Sequence, residues 1–167
     1  MLCEEAIALQ KVGADFIILA TNTMHKMADQ IEAVIEIPFL HLADATGDEI
    51  LDNGIKTVGL LGTRYTMELD FYKKRLEAKG IKVVVPDEQG RDDVNRIIYD
   101  ELCHGQVMEG SREIYRNVIS DLFNNGAEGV IMGCTEITML IDQSDSPVPL
   151  FDTTKIHVER ALDCIFD

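Results

Sequence analysis

Residues 13–23 read GADFIILATNT, and residues 126–136 read GAEGVIMGCTE. Laid over each other without a gap, Gly13 meets Gly126, Ala14 meets Ala127, Asp15 meets Glu128, and the apolar run Ile17–Leu19 matches Val130–Met132. Short, continuous apolar runs of this kind, introduced by glycine, predict strands buried on both faces of a parallel sheet. One run leads to Thr21 and the other to Cys134. A strand used twice to deliver a small polar or nucleophilic side chain to its C-terminal end predicts one site with two facing walls. The walls are chemically unequal.

Working outward, the chain alternates strand and helix patterns. Helical patterning from about Thr23 to Ile35 follows the first strand, and IPFLHLA at Ile37–Ala43 reads as the next strand, introduced by Pro38. From Gly47 to Gly54 the chain is polar and predicts a turn between two lobes. TVGLLGT at Thr57–Thr63 reads as a strand, followed by a helix near Met67–Lys79 and a strand at Lys82–Pro86. Helices follow at about Arg91–Leu102 and Ser111–Asn124, the second stopped by Asn125 and Gly126. Then come a strand at Gly129–Gly133, a strand at Val148–Asp152 and a last helix over Thr154–Phe166. The Pro-led strands IPFLH and VPLFD stand at comparable distances after Thr21 and Cys134, which extends the repeat. The fold class is therefore α/β, with two pseudo-symmetric lobes, each a parallel sheet flanked by helices, and the site in the cleft between them. Residues 1–50 with 151–167 make the first lobe, and 51–150 the second.

A chain of 167 residues with 46% hydrophobic content can bury a full core. Fifteen basic against thirty acidic residues give a net charge of −15, a field that repels nucleic acid and anionic membrane surfaces. An anionic ligand would need local donors. Cys3, Cys103, Cys134 and Cys164 are scattered, with no CxxC pair and no histidine at zinc-finger spacing, which points to reduced thiols and the cytoplasm, and to no metal site. No stretch has the apolar length to span a bilayer, and the opening MLCEEAIALQ lacks the pattern of a leader. That opening reads as an amphipathic helix already under way and without a cap, so an earlier strand and loop are expected before it, the alternative being a domain that begins with a helix.

TNTMH (Thr21–His25), GTRYT (Gly62–Thr66) and CTE (Cys134–Glu136) each place hydroxyl, amide or thiol groups on a strand-to-helix turn. Unpaired main-chain N–H groups at such turns can hold a carboxylate and would lower the pKa of Cys134. Each element has a plainer reading: a cysteine after an apolar strand packs in a core, and Thr21, Thr63 or Thr66 caps a helix. The duplicated placement favours a site. Cys3, Cys103 and Cys164 have no such setting and read as packing or surface residues. His25, His41 and His157 read as hydrogen-bonded structural groups, and His104 as a surface residue. Glu136 either orients Cys134 or caps the next helix.

Taken together, GADFIILATNTMH, IPFLHLADAT, VGLLGTRYTM, DELCHG, GAEGVIMGCTEI and DTTKIH resemble the cofactor-independent aspartate/glutamate racemases of the aspartate, glutamate and hydantoin racemase superfamily. The resemblance runs along nearly the whole chain. It implies two α/β lobes around an amino-acid substrate, a homodimer, and two cysteines on opposite sides of Cα that remove and return its proton, with no cofactor and no metal. Carried over by motif, Cys134 is one catalytic residue, and Thr21 stands where the family has the other cysteine. Asn22, Thr23, Thr63, Thr66 and Thr135 match positions that bind substrate. The first strand and Gly-rich loop of the family have no counterpart in these residues, and Arg64 and Arg112 are candidates for the distal carboxylate. Two further readings stay open: a single-cysteine enzyme like the superfamily's decarboxylases, and a non-catalytic or truncated paralogue that binds a dicarboxylate.

Overall fold

The computed structural model describes residues 1–166. In chain order its elements are α1 (Leu2–Lys11), β1 (Ile17–Ile18), α2 (Ala28–Glu32), β2 (Phe39–Leu40), α3 (Leu42–Asp52), β3 (Thr57–Gly62), α4 (Arg64–Glu68), α5 (Asp70–Ala78), β4 (Lys82–Val84), α6 (Glu88–Asp100), α7 (Glu109–Asn124), β5 (Gly129–Gly133), α8 (Ile137–Leu140), β6 (Leu150–Asp152) and α9 (Thr153–Phe166). The fold is α/β. All strand pairings are parallel, in a two-stranded sheet β1-β2 and a four-stranded sheet β4-β3-β5-β6.

The four-stranded sheet is covered on both faces, which explains its unbroken apolar strands. On one face Leu61, Val130 and Met132 pack with Val94, Ile97, Tyr115 and Ile119 from α6 and α7. On the other, Val58, Leu60 and Ile131 pack with Leu42 and Ile50 of α3 and Tyr72 and Leu76 of α5. Every residue of β5 is buried. Because α3 packs on this sheet and β6 pairs with β5, the boundaries read from sequence at 50/51 and 150/151 fall inside elements of the second sheet's layers.

The repeat is visible in the backbone as well. Gly13 and Gly126 both stop a helix and turn the chain with φ of +93° and +92°, the left-handed region in which glycine is unstrained. Each turn then feeds a strand, β1 or β5, whose end faces the other lobe.

Several element boundaries differ from the sequence reading. The helix read near Met67–Lys79 is broken into α4 and α5, and three other differences have a local cause. The segment expected to turn from Gly47 is helical through Asp52, with Thr46, Gly47 and Ile50 buried. Gly47 has a packing reason, since a Cβ there would meet Lys79 Cδ at 2.7 Å. The strand read over Ile37–Ala43 is confined to β2, because His41 caps α3 through Nδ1, which accepts the Ala43 N–H at 3.1 Å. The helix read over Thr23–Ile35 begins as a 3-10 turn at Thr23–Met27 and becomes α2. There the His25 side chain bonds main-chain groups and competes with a regular first turn.

Ion pairs tie these layers together. Arg75 on α5 reaches Glu32 at 2.6 Å and Asp44 at 2.7 Å, and Lys79 reaches Asp48 at 2.5 Å. Among the described residues no helix is long and apolar enough to cross a membrane.

Candidate active site

The C-terminal ends of β1, β3 and β5 converge on a cleft of about 290 Å³. Ala20, Thr21, Asn22 and Thr23 enter it from β1, Thr63 from β3, and Cys134, Thr135 and Glu136 from β5. Hollows of about 370 and 380 Å³ lie elsewhere, one between α6 and α7 and one beside α4. Neither is lined by a thiol or by the ends of the repeated strands, so the smaller cleft is the one with the chemistry. Thr21 and Cys134, equivalent in the repeat, share it.

Close backbone approach sets the second wall. Gly62 and Gly133 are register partners at the ends of β3 and β5. A Cβ on Gly133 would lie 2.6 Å from the Leu61 carbonyl oxygen, and one on Gly62 would lie 2.9 Å from the Gly133 carbonyl oxygen. The two glycines thus let the turns bearing Thr63 and Cys134 sit side by side.

Hydroxyl groups join the walls. Thr23 Oγ1 and Thr63 Oγ1 are 3.0 Å apart, and Thr63 Oγ1 and Thr66 Oγ1 are 3.2 Å apart. Thr63 also caps α4. Thr66 is fully buried behind Thr63 and does not line the cleft.

Cys134 is a protonated thiol. Its Sγ donates to Glu136 Oε2 at 2.9 Å, and the Thr135 hydroxyl donates to the same oxygen at 2.7 Å. Burial first, and the Glu136 carboxylate second, push the thiol up to about 12. The helix-terminus field expected to lower this pKa is outweighed, because α8 is only four residues long and an acceptor carboxylate stands at the sulfur. Glu136 is held below the usual carboxylate range, chiefly by the hydrogen bond from Cys134.

The Thr21 turn rests on buried histidines. The Leu42 N–H donates to His25 Nε2 at 3.2 Å, so Nδ1 carries the proton and donates to the Thr21 carbonyl at 2.6 Å. Desolvation pushes His25 down to about 4 and His41 to about 2. His157 Nε2 donates to the Leu40 carbonyl at 2.8 Å. These three are structural groups, as the sequence suggested, and His104 is exposed.

Ala20, Ile98, Tyr99 and Cys103 also line the cleft and went unread in the sequence as lining residues. Tyr99 and Cys103 reach the cleft from the end of α6 and the turn after it, which Gly105 closes with φ of +70°. Cys103 is exposed, in keeping with a surface residue, but its place is on the cleft. The DELCHG segment was the available signal, since it stood among the family-like stretches without an assigned role. Arg64 and Arg112, candidates for the distal carboxylate, do not line the cleft. Arg64 pairs with Asp92, and Arg112 pairs with Asp145 and Glu109.

The sequence profile of the family described as Asp/Glu/Hydantoin racemase matches residues 1–161. A broad specificity amino-acid racemase of Bacillus subtilis is 28% identical over 153 residues, covering 92% of this chain and 66% of the relative. The chain thus spans about two thirds of that curated relative's length. Among solved structures, a candidate Asp/Glu racemase from Yersinia pestis is 53% identical with a TM-score of 0.96, covering 99% of this chain and 73% of that one. An aspartate racemase homologue from Pyrococcus horikoshii is 38% identical with a TM-score of 0.89, at the same coverage of 99% and 73%. With the two-sheet architecture and the profile match over nearly its whole length, the chain belongs to the Asp/Glu/hydantoin racemase family.

Proposed function

We propose that the protein inverts the α-carbon of aspartate or glutamate without a cofactor, taking a proton from one face and returning one to the other. One observation carries this reading: Thr21 and Cys134, equivalent residues of an internal repeat, line a single cleft. The racemase names of the Bacillus and Pyrococcus relatives support the reaction class.

Inversion by proton transfer needs an acid and a base on opposite faces whose roles exchange when direction reverses. Cys134 serves one face. Thr21, with a water or a neighbouring group to carry the proton, serves the other. Because Cys134 starts as a thiol, it is the donor in the first direction: its S–H proton goes to the planar carbanion, and the electron pair stays on sulfur as thiolate. The substrate's ammonium group beside it lowers the cost of that charge. In the reverse direction that thiolate is the base: it accepts the proton of Cα and becomes the thiol, while the Thr21 wall returns a proton to the other face. Unequal walls imply unequal kcat for the two enantiomers, with kcat/KM equal in both directions because enantiomers have the same free energy. Thr23, Thr63 and Thr135 supply neutral donors to the substrate carboxylates, Asn22 binds the substrate through its side-chain amide, and Thr66 supports Thr63 from behind. The four unpaired cysteines favour the cytoplasm, and the family resemblance favours a homodimer.

A second reading has one observation in its favour. At the two repeat positions sulfur stands on one wall alone and is protonated, which suits one-sided protonation of a planar intermediate after decarboxylation. The deciding experiment offers L- and D-aspartate and L- and D-glutamate and follows optical rotation. Racemisation that Cys134→Ala abolishes supports the proposal. A folded enzyme that racemises none of the four but releases CO₂ from a disubstituted malonate is the decarboxylase-like case.

A further inference from the structure

Thr153 is the first residue of α9 and is fully buried. Capping a helix falls to the residue before its first one. In this protein the preceding residue does that work, for Asp152 Oδ1 accepts the Thr154 and Lys155 N–H groups at 2.9 and 3.1 Å. The Thr153 hydroxyl is left for another purpose. It donates to the Met132 carbonyl at 2.9 Å and accepts the Asn22 Nδ2–H at 3.1 Å. Met132 stands two residues before Cys134 on β5, and Asn22 follows Thr21. A single hydroxyl therefore links the two turns that carry the unequal walls.

The consequence falls on Asn22, which lines the cleft and is 4% exposed. Among the described residues its Oδ1 is a buried acceptor without a hydrogen-bond partner. Turning the amide over would set an acceptor against Thr153, whose proton is committed to Met132, and would leave a buried N–H₂ group unpaired instead. The orientation is thus fixed by Thr153. Buried acceptors without partners are costly, and one at the wall of a cleft marks the place of a missing donor.

We propose that Thr153 is a positioning residue for substrate binding: it locks the Asn22 amide so that Oδ1 remains an unfilled acceptor for a hydrogen-bond donor on the ligand. That the ligand is an amino acid rests on the reading given above. The locking of the amide does not.

The test has one arm for each claim. In the wild-type protein, NMR should show an Asn22 side-chain N–H exchanging with solvent slowly. In Thr153→Val that exchange should quicken by at least about tenfold, while Thr153→Ser keeps it slow. With racemisation of aspartate as readout, Thr153→Val should raise KM about tenfold, kcat should stay within about threefold, and Thr153→Ser should restore KM. Thr46→Val is the control for a buried hydroxyl lost elsewhere, since Thr46 bonds the Leu42 carbonyl and Tyr72 away from the cleft. It should lower stability and leave KM alone. An Asn22 amide that exchanges freely in the wild type, or stays protected in Thr153→Val, overturns the proposal even if the Val variant folds poorly. So does a Thr46→Val variant that raises KM as much as Thr153→Val. A wild type that racemises nothing would sink the amino-acid reading, while the amide exchange still decides the role of Thr153.

Discussion

Replacing Glu136 by Gln tests the electrostatic reading of the thiol. The carboxylate receives the Cys134 S–H at 2.9 Å and is the second cause, after burial, of a thiol pushed up to about 12. Gln keeps the size and an acceptor oxygen but removes the charge. A hydrogen bond to a charged group contributes about 1.5–3 kcal/mol, against about 1 for a neutral one, so the substitution should lower the thiol pKa by roughly 0.4 to 1.5 units. Thiolate at a given pH then rises about 2.5- to 30-fold. A thiolate of lower pKa is also a weaker nucleophile, which takes back nearly half of that gain on a logarithmic scale and leaves about a 1.6- to 6-fold faster reaction. The assay is iodoacetamide alkylation at pH 8, read peptide by peptide by mass spectrometry, with exposed Cys164 as the internal reference. Cys134 should react faster in Glu136→Gln and Cys164 should not change. An unchanged or slower Cys134 would refute the claim that Glu136 holds the thiol proton.

Three further predictions follow from the geometry. His25 is buried and neutral, with its pKa lowered from 6.5 to about 4, so its contribution to stability is present above pH 6.5 and is lost as pH falls toward 4. At pH 5 that loss is about 2 kcal/mol for His25 alone, measurable by urea unfolding at pH 7.5 and 5; a His25 NMR signal that titrates near 6.5 would contradict it. Gly133→Ala forces a Cβ to 2.6 Å from the Leu61 carbonyl, and should lower Tm by about 3–10 °C in a thermal melt. Thr21→Cys puts sulfur on both walls, and should speed turnover of the slower enantiomer by at least about tenfold in a chiral assay; an unchanged ratio of rates would count against a catalytic role for that wall.

Much of the fold was legible because burial on both sheet faces leaves a plain mark. TVGLLG and GVIMG are continuous apolar runs, and they are strands β3 and β5. The duplicated Gly-Ala-acid opening also located both strand ends and hence Thr21 and Cys134. Elsewhere tertiary contacts overrode local pattern. Gly47 looked like a turn residue, but its missing Cβ admits the Lys79 stem to the side of α3. His41 was an unforeseen helix cap, since capping is read from Ser, Thr, Asp and Asn. Tyr99 and Cys103 lie far in sequence from the strand ends, and only the packing of α6 on the second sheet brings them to the cleft. The thiol pKa was misjudged because sequence shows the turn but not the depth of burial or the direction of the Glu136 carboxylate.

The central claim is that protons reach and leave Cα through a cleft walled by Thr21 and Cys134. Its most direct measurement is deuterium incorporation at Cα of L- and D-aspartate and L- and D-glutamate in D₂O, followed by proton NMR without added cofactor. The account predicts that the wild type exchanges the Cα hydrogen of aspartate or glutamate, at unequal rates for the two enantiomers, and that Cys134→Ala does not. A folded wild type that leaves Cα fully protonated in all four amino acids, or a Cys134→Ala variant that exchanges as fast as the wild type, would contradict it.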